Sequence, residues 1–232
     1  MNRIIVITGT RKGLGKLLCE YFLNDGDIVY GCSRRKSSID HPAYMHFCLS
    51  VSDEQSVISM VRKIYQIHKK IDILLNNAGI ASMNHFLLTP YSTAQQIFET
   101  NFFGTLIMCR EVSKLMVRRK YGKIVNFSTV AVPLHLEGEL VYSSSKAAIE
   151  QLTKVLAAEL GSFNITVNAV GPTPINTDLI AHVPEEKINK LIQKQSLKRL
   201  GNFADVLNVI KFYIDENSNF ITGQIIYLGG IN

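Results

Sequence analysis

No stretch of the 232 residues approaches the roughly 20 consecutive apolar residues that a helix needs to cross a bilayer. The apolar run after Met1 ends at Ile7 and meets Thr8-Gly9, so no leader peptide is expected. Cysteine is scarce: Cys19, Cys32, Cys48 and Cys109 form no C-x-x-C pair, and each sits in an apolar stretch. That pattern argues against a disulfide framework or a metal site and predicts buried thiols in a reducing compartment. There is no Pro/Ser linker, internal repeat or low-complexity tract. The formal net charge is +6, yet the longest basic runs are Arg34-Arg35-Lys36 and Arg118-Arg119-Lys120. No basic stripe is interleaved with aromatics, so nucleic acid is not expected as a partner. The scattered charge remains compatible with phosphates, nucleotides or an acidic carrier protein. Together these absences describe a cytoplasmic, soluble protein with no membrane partner.

What is present is enough apolar material for a substantial core, with 47% hydrophobic and 19% charged residues. Short apolar runs alternate with longer periodic ones. Strands are expected at Arg3–Thr8, Asp27–Cys32, Ile71–Leu75, Lys123–Phe127, Ile165–Val170 and Gln224–Leu228. Helices are expected at Leu14–Asn24, from the Asp53 cap to about Lys69, and at Thr93–Arg119, Val141–Leu160, Glu185–Gln195 and Ala204–Asp215. Strand-helix alternation implies parallel strands joined by right-handed crossovers, with helices on both faces. The continuous apolar character of IIVIT, IDILL and KIVNF fits strands buried on both sides. The economical reading of residues 1–232 is one doubly wound α/β domain of the Rossmann type, with ligands outside the carboxyl ends of the strands.

TGTRKGLG, from Thr8 to Gly15, follows the first strand and opens the first helix. Gly9, Gly13 and Gly15 let the chain turn tightly and let backbone N–H groups approach a pyrophosphate. The second strand ends in GCSRRK. A reader of a free ribose 2′-hydroxyl would carry Asp or Glu here; Ser33, Arg34 and Arg35 suit a 2′-phosphate instead, and Lys12 adds a second positive position.

Several motifs then fall in one order, and the chain resembles the short-chain dehydrogenase/reductase family over nearly all its length. The family's T-G-x-x-x-G-x-G is Thr8 to Gly15, its N-N-A-G is Asn76 to Gly79, and its catalytic asparagine matches Asn101 in ETNFFGTL. Its Y-x-x-x-K is Tyr142 to Lys146, and VNAVGP, from Val167 to Pro172, matches a late family motif. Within the family, KRLGNFADV and ITGQIIYLGG are most similar to 3-oxoacyl-carrier-protein reductases. The resemblance implies about seven parallel strands, NADPH as cofactor, and a homotetramer. It also implies cofactor contacts from Gly9, Arg11, Lys12, Gly13, Leu14, Gly15, Ser33, Arg34, Arg35, Ser50, Val51, Asn77, Ala78, Gly79, Tyr142, Lys146, Pro172, Thr173, Ile175 and Thr177.

Reducing a carbonyl needs a hydride donor and an acid. Tyr142 is the family's acid/base, and Lys146, one helical turn on, is expected to lower its pKa and to bind the cofactor's ribose. A shift of three units would take about 4 kcal/mol of differential interaction. By resemblance Asn101 kinks its helix and holds a water that relays protons to Lys146. The family's catalytic serine lies thirteen residues before the tyrosine, and that position is Thr129. Threonine keeps the hydroxyl that binds a substrate carbonyl, while Ser128 would face the other way. Ser143, Ser144 and Ser145 are expected to face helix neighbours or the pocket edge.

Two more departures stand out. Ser50 occupies the position where the family often has an adenine-contacting aspartate, and Pro172-Thr173-Pro174 replaces the usual P-G. Residues 176–200 are expected to cover the substrate. The leading reading is an NADPH-dependent ketone reductase acting on a 3-oxoacyl thioester or on a ketone intermediate of a specialised pathway. The alternative, motivated only by Thr129, is a catalytically impaired dinucleotide-binding sensor or scaffold of the same fold.

Overall fold

The structure, a computed structural model, describes residues 2–175 and 183–231. In chain order the elements are β1 (Ile4–Thr8), α1 (Gly13–Asn24), β2 (Ile28–Ser33), β3 (Tyr44–Cys48), α2 (Glu54–His68), β4 (Ile73–Asn76), α3 (Tyr91–Phe98) and α4 (Gly104–Arg119). They continue as β5 (Gly122–Phe127), α5 (Ala131–Leu134), α6 (Leu140–Leu160), β6 (Ile165–Gly171), α7 (Glu185–Lys194), α8 (Phe203–Ile214) and β7 (Ile225–Tyr227).

The side chains of β1 leave it alternately on two faces, as a strand's period of two requires. Ile4 and Val6 enter one apolar cluster with Met60 and Ile64 of α2 and Met108 and Val112 of α4. Ile5 and Ile7 enter the other with Leu18 and Phe22 of α1 and Val206 and Ile210 of α8. The seven strands are parallel in the order β3-β2-β1-β4-β5-β6-β7. Chain progression reverses between β1 and β4, so the crevice outside their carboxyl ends is where a doubly wound sheet takes a ligand. Beneath it, Asn76 donates to Asn126 Oδ1 at 2.9 Å and Asn126 donates to Thr153 Oγ1 at 2.9 Å, which ties β4, β5 and α6 together.

Two local expectations need correction, and the kink implied at Asn101 takes a definite form. The edge strand β3 was not expected, because YMHFC is half-exposed and has no continuous apolar run. Cys48 at its end is exposed; the other three cysteines are buried, and all four are free. The helix expected over Thr93–Arg119 is interrupted by a π-helical turn at Glu99–Phe103, centred on Asn101. The Asp53 cap is as expected, with its carboxylate accepting from Ser56 N at 3.2 Å. Among the described residues no helix is long and apolar enough to cross a membrane, and no group of three or more His, Cys, Asp or Glu is placed to hold a metal.

Candidate active site

Gly9 leaves β1 with φ +76°, a conformation that side-chain-bearing residues rarely adopt. A Cβ at Gly15 would lie 2.3 Å from the Gly9 carbonyl oxygen and 2.4 Å from Asn77 Nδ2. Only glycine fits there, and the loop closes against the N-terminus of α1, whose N-cap Lys12 supplies no side-chain cap. First-turn amides that lack an intrahelical partner make such a cradle fit a pyrophosphate. Asn77 and Ala78 brace it from across the switch point. Asn77 Nδ2 donates to Thr8 O at 2.9 Å, and Ala78 N donates to Thr8 Oγ1 at 2.9 Å. Gly13 also has positive φ, Arg11 is exposed, and Leu14 packs into the cluster beneath α1.

At the end of β2, Arg34, Arg35 and Lys36 are exposed, while Ser33 turns inward and donates to the Arg35 carbonyl at 2.6 Å. The arginines therefore face solvent from a braced turn, a fit for a phosphate, and Ser33 serves as the brace. Ser50 Oγ lies 2.9 Å from Ser52 Oγ, and Val51 is buried in the cluster beneath α2 and α4.

Thr129 follows β5 and is buried, close enough to the Tyr142 phenol to pull its pKa down. Thr129 Oγ1 accepts from Ala131 N at 3.2 Å, which fixes its rotamer. Ser128 points the other way, donating to Glu150, which also accepts from Tyr227 OH at 2.6 Å. Lys146 is buried one turn along α6 from Tyr142, and its ammonium donates to the Phe127 carbonyl at 2.7 Å. Asn101 is fully buried. Its Nδ2 donates to Ile80 O at 2.9 Å and Ser145 Oγ at 3.0 Å, and its Oδ1 accepts from Ile80 N at 2.9 Å. Both amide donors are engaged, so a water relay through this side chain has only Oδ1 to use. A Cβ at Gly79 would lie 3.4 Å from that oxygen and 3.5 Å from Lys146 Nζ, so Gly79 sits between them. Ser145 faces inward, donating to Tyr142 O at 2.7 Å, while Ser143 bonds back to Leu140 O at 3.2 Å.

The electrostatics differ from the expectation drawn from Tyr-Lys spacing. Burial pushes the Tyr142 phenol up to about 12; the Thr129 hydrogen bond offsets part of this, and the Glu139 charge adds to it. Burial also takes Lys146 down to about 8. Desolvation is the leading cause of both shifts, and the Lys146 ammonium is held at the Phe127 carbonyl. The consequence is a phenol that stays protonated at neutral pH.

One group near the site had no signal in the sequence. Glu139 lies one turn before Tyr142, half-buried, and its Oε2 is buried without a hydrogen-bond partner. Burial pushes its carboxyl up to about 7 against the pull of Lys187. In GEL before a helix, a glutamate reads as a solvated loop residue, and only the fold encloses it.

The far wall comes from the exit of β6. Pro172 O accepts from Val130 N at 3.2 Å, and Thr173 donates its hydroxyl to Gln195 in the interior. Ile175 pairs with Gly201 and packs into the cluster beneath α8. Thr177 lies outside the described residues, as do Asn176 and His182 of the expected covering segment. Residues 183–200 of that segment touch both the loop after β4 and the one after β5. Lys187 of α7 reaches Met83 Sδ at 3.4 Å, and Leu191 packs with Val130, Leu134 and Leu136.

A family model described as short chain dehydrogenase matches residues 3–188. The chain is similar to the 3-oxoacyl-(acyl-carrier-protein) reductase FabG of Aquifex aeolicus (strain VF5), 31% identical with 99% of this chain and 96% of that protein aligned. It is also similar to a 3alpha-hydroxysteroid dehydrogenase of Mediterraneibacter gnavus, 29% identical over 99% of this chain and 96% of that protein. Among solved structures, one described as ElxO with NADP bound superposes with a TM-score of 0.90 at 29% identity, covering 98% of this chain and 97% of that one.

Proposed function

The chain belongs to the short-chain dehydrogenase family, and from that premise we propose that it is an NADPH-dependent oxidoreductase interconverting a ketone and a secondary alcohol. The observation that carries this reading is the convergence of the buried Thr129, the Tyr142 phenol beside it and Lys146, buried one turn along α6, at the open end of the sheet. NADPH supplies the hydride when bound. Thr129 and Tyr142 together hold the carbonyl oxygen, and Tyr142 gives it the proton as negative charge develops there. Lys146 stabilises the phenolate left behind, and the buried Asn101 holds the Ile80 backbone and with it the turn that sets Gly79 against Lys146. Arg34 and Arg35 hold the 2′-phosphate, and the loop from Gly9 to Gly15 holds the pyrophosphate.

A 3-oxoacyl thioester on a carrier protein is the favoured substrate class, supported by the relative named for that reaction. A relative named for a steroid keeps other ketones in the reading. The non-catalytic alternative rests on Thr129 in place of serine, and the placement of that side chain beside Tyr142, with Asn101 and Lys146 retained, argues against it. Assembly as a homotetramer belongs to the same proposal: Phe86, Leu87, Leu88 and Tyr91 beside α3 and Leu140 and Val155 on α6 are large exposed apolar side chains. The test is NADPH oxidation with acetoacetyl-CoA, a cyclic diketone and a 3-ketosteroid, repeated with NADH. Turnover with NADPH strongly preferred supports the proposal; NADPH binding with no turnover on any ketone returns the scaffold reading.

A further inference from the structure

The edge strand β3 carries two polar side chains that the mechanism does not use. Tyr44 and His46 lie two residues apart and so share one face of the sheet. The Tyr44 hydroxyl lies 3.0 Å from Thr10 Oγ1 and 2.8 Å from His46 Nδ1. Thr10 is the buried residue directly after Gly9 in the phosphate loop. On its other side His46 Nε2 lies 3.0 Å from the Arg35 carbonyl oxygen and 3.1 Å from Ser33 Oγ. We propose that Tyr44 and His46 form a positioning relay that couples the phosphate loop to the Arg34–Arg35 turn and thereby sets the preference for a 2′-phosphorylated dinucleotide. This rests on the reading of Arg34 and Arg35 as the 2′-phosphate clamp.

For a neutral imidazole the bonding pattern is consistent with one direction along the relay. A carbonyl only accepts, so His46 carries its proton on Nε2 and donates to Arg35 O. Nδ1 is then an acceptor and takes the Tyr44 hydroxyl proton, and the Tyr44 oxygen accepts from Thr10. Burial pushes the Tyr44 phenol up to about 12, so it remains a donor at neutral pH. A second, independent observation shows that the sheet makes room for this relay. Gly31 of β2 pairs with His46, and a Cβ at Gly31 would lie 2.3 Å from the Tyr44 oxygen and 2.5 Å from Thr10 Oγ1. Any other residue there would close the gap through which the two hydroxyls meet. The Arg35 carbonyl is thus held by two donors, His46 Nε2–H and the Ser33 hydroxyl, beneath two exposed arginines. Two long flexible side chains grip a phosphate from a fixed turn with less ordering cost than from a loose one.

The test compares kcat and KM for NADPH and NADH in wild type, His46→Ala, His46→Gln, Tyr44→Phe and Arg34→Ala, each checked for native melting. In His46→Ala the KM for NADPH should rise about tenfold, the equivalent of one hydrogen bond to a charged site, with kcat nearly unchanged and KM for NADH unmoved. His46→Gln, whose amide still donates to Arg35 O, should recover most of the preference. Tyr44→Phe keeps the ring and should lose part of it, and it carries the test if His46→Ala does not fold. If His46→Ala and Tyr44→Phe weaken both cofactors equally, or neither, the relay is overturned. If Arg34→Ala also leaves the NADPH:NADH ratio unchanged, the 2′-phosphate reading itself fails. A drop in Arg34→Ala with none in the β3 variants overturns the relay alone.

Discussion

Thr129 keeps the hydroxyl of a serine and adds a methyl that stiffens χ1, and the Ala131 amide donates to that hydroxyl. Thr129→Val keeps the shape and removes that hydroxyl, so kcat should fall on the order of 10²-fold, the scale of losing one oxyanion donor. Ser128→Ala should leave kcat near wild type and cost about 1 kcal/mol of stability, because its bond runs to Glu150. Steady-state kinetics and denaturant melts of the two variants check this; a larger kcat loss in Ser128→Ala would contradict the placement of Thr129. The titrations set the pH dependence. With Tyr142 pushed up to about 12, the acid for reduction is present throughout the neutral range. Lys146, taken down to about 8, loses its charge as pH rises through that value, so reduction should decline on the alkaline side of 8. Alcohol oxidation needs the phenolate and should climb with pH. Glu139→Gln removes a charge that opposes phenol ionisation, so the oxidation limb should move to lower pH. An unmoved limb would place Glu139 outside the electrostatics of the site.

At the scale of elements, the parts most legible in the sequence are those where local pattern and tertiary demand agree. β1, β4 and β5 are apolar runs buried on both faces, and Asp53 caps α2 as its residue type suggests. β3 was not legible, because an edge strand buries only part of itself and its YMHFC shows no run to detect. The π turn was foreseen only as a kink implied by resemblance, since nothing local in ETNFF demands a wider helical turn. Its cause is tertiary: the Asn101 side chain answers both the N–H and the C=O of Ile80. Asn101→Ala should therefore destabilise the protein by roughly 3 kcal/mol, since buried groups are left unpaired. A chemical denaturation midpoint close to wild type would show that the turn stands without this side chain.

At the scale of the whole molecule, the phosphate loop, the Arg34–Arg35 turn and the Tyr142–Lys146 helix come from three separate stretches that meet only because β1 and β4 are neighbours in the sheet. Their spacing in sequence was readable; their electrostatics were not, because desolvation depends on what the fold places around Tyr142, Lys146 and Glu139. Exposed apolar side chains beside α3 and on α6 lead us to expect a mass of four chains by light scattering at micromolar concentration, and a monomer there would contradict the proposed assembly. The central claim is that Tyr142 is the proton donor of an NADPH-dependent ketone reduction. It is tested most directly in Tyr142→Phe, which keeps the ring and removes the proton, by measuring kcat for ketone reduction beside NADPH affinity from cofactor fluorescence. The account predicts loss of turnover by at least about 10³-fold, within the range of general acid catalysis, with NADPH binding close to wild type. Near-normal kcat in that variant would contradict it.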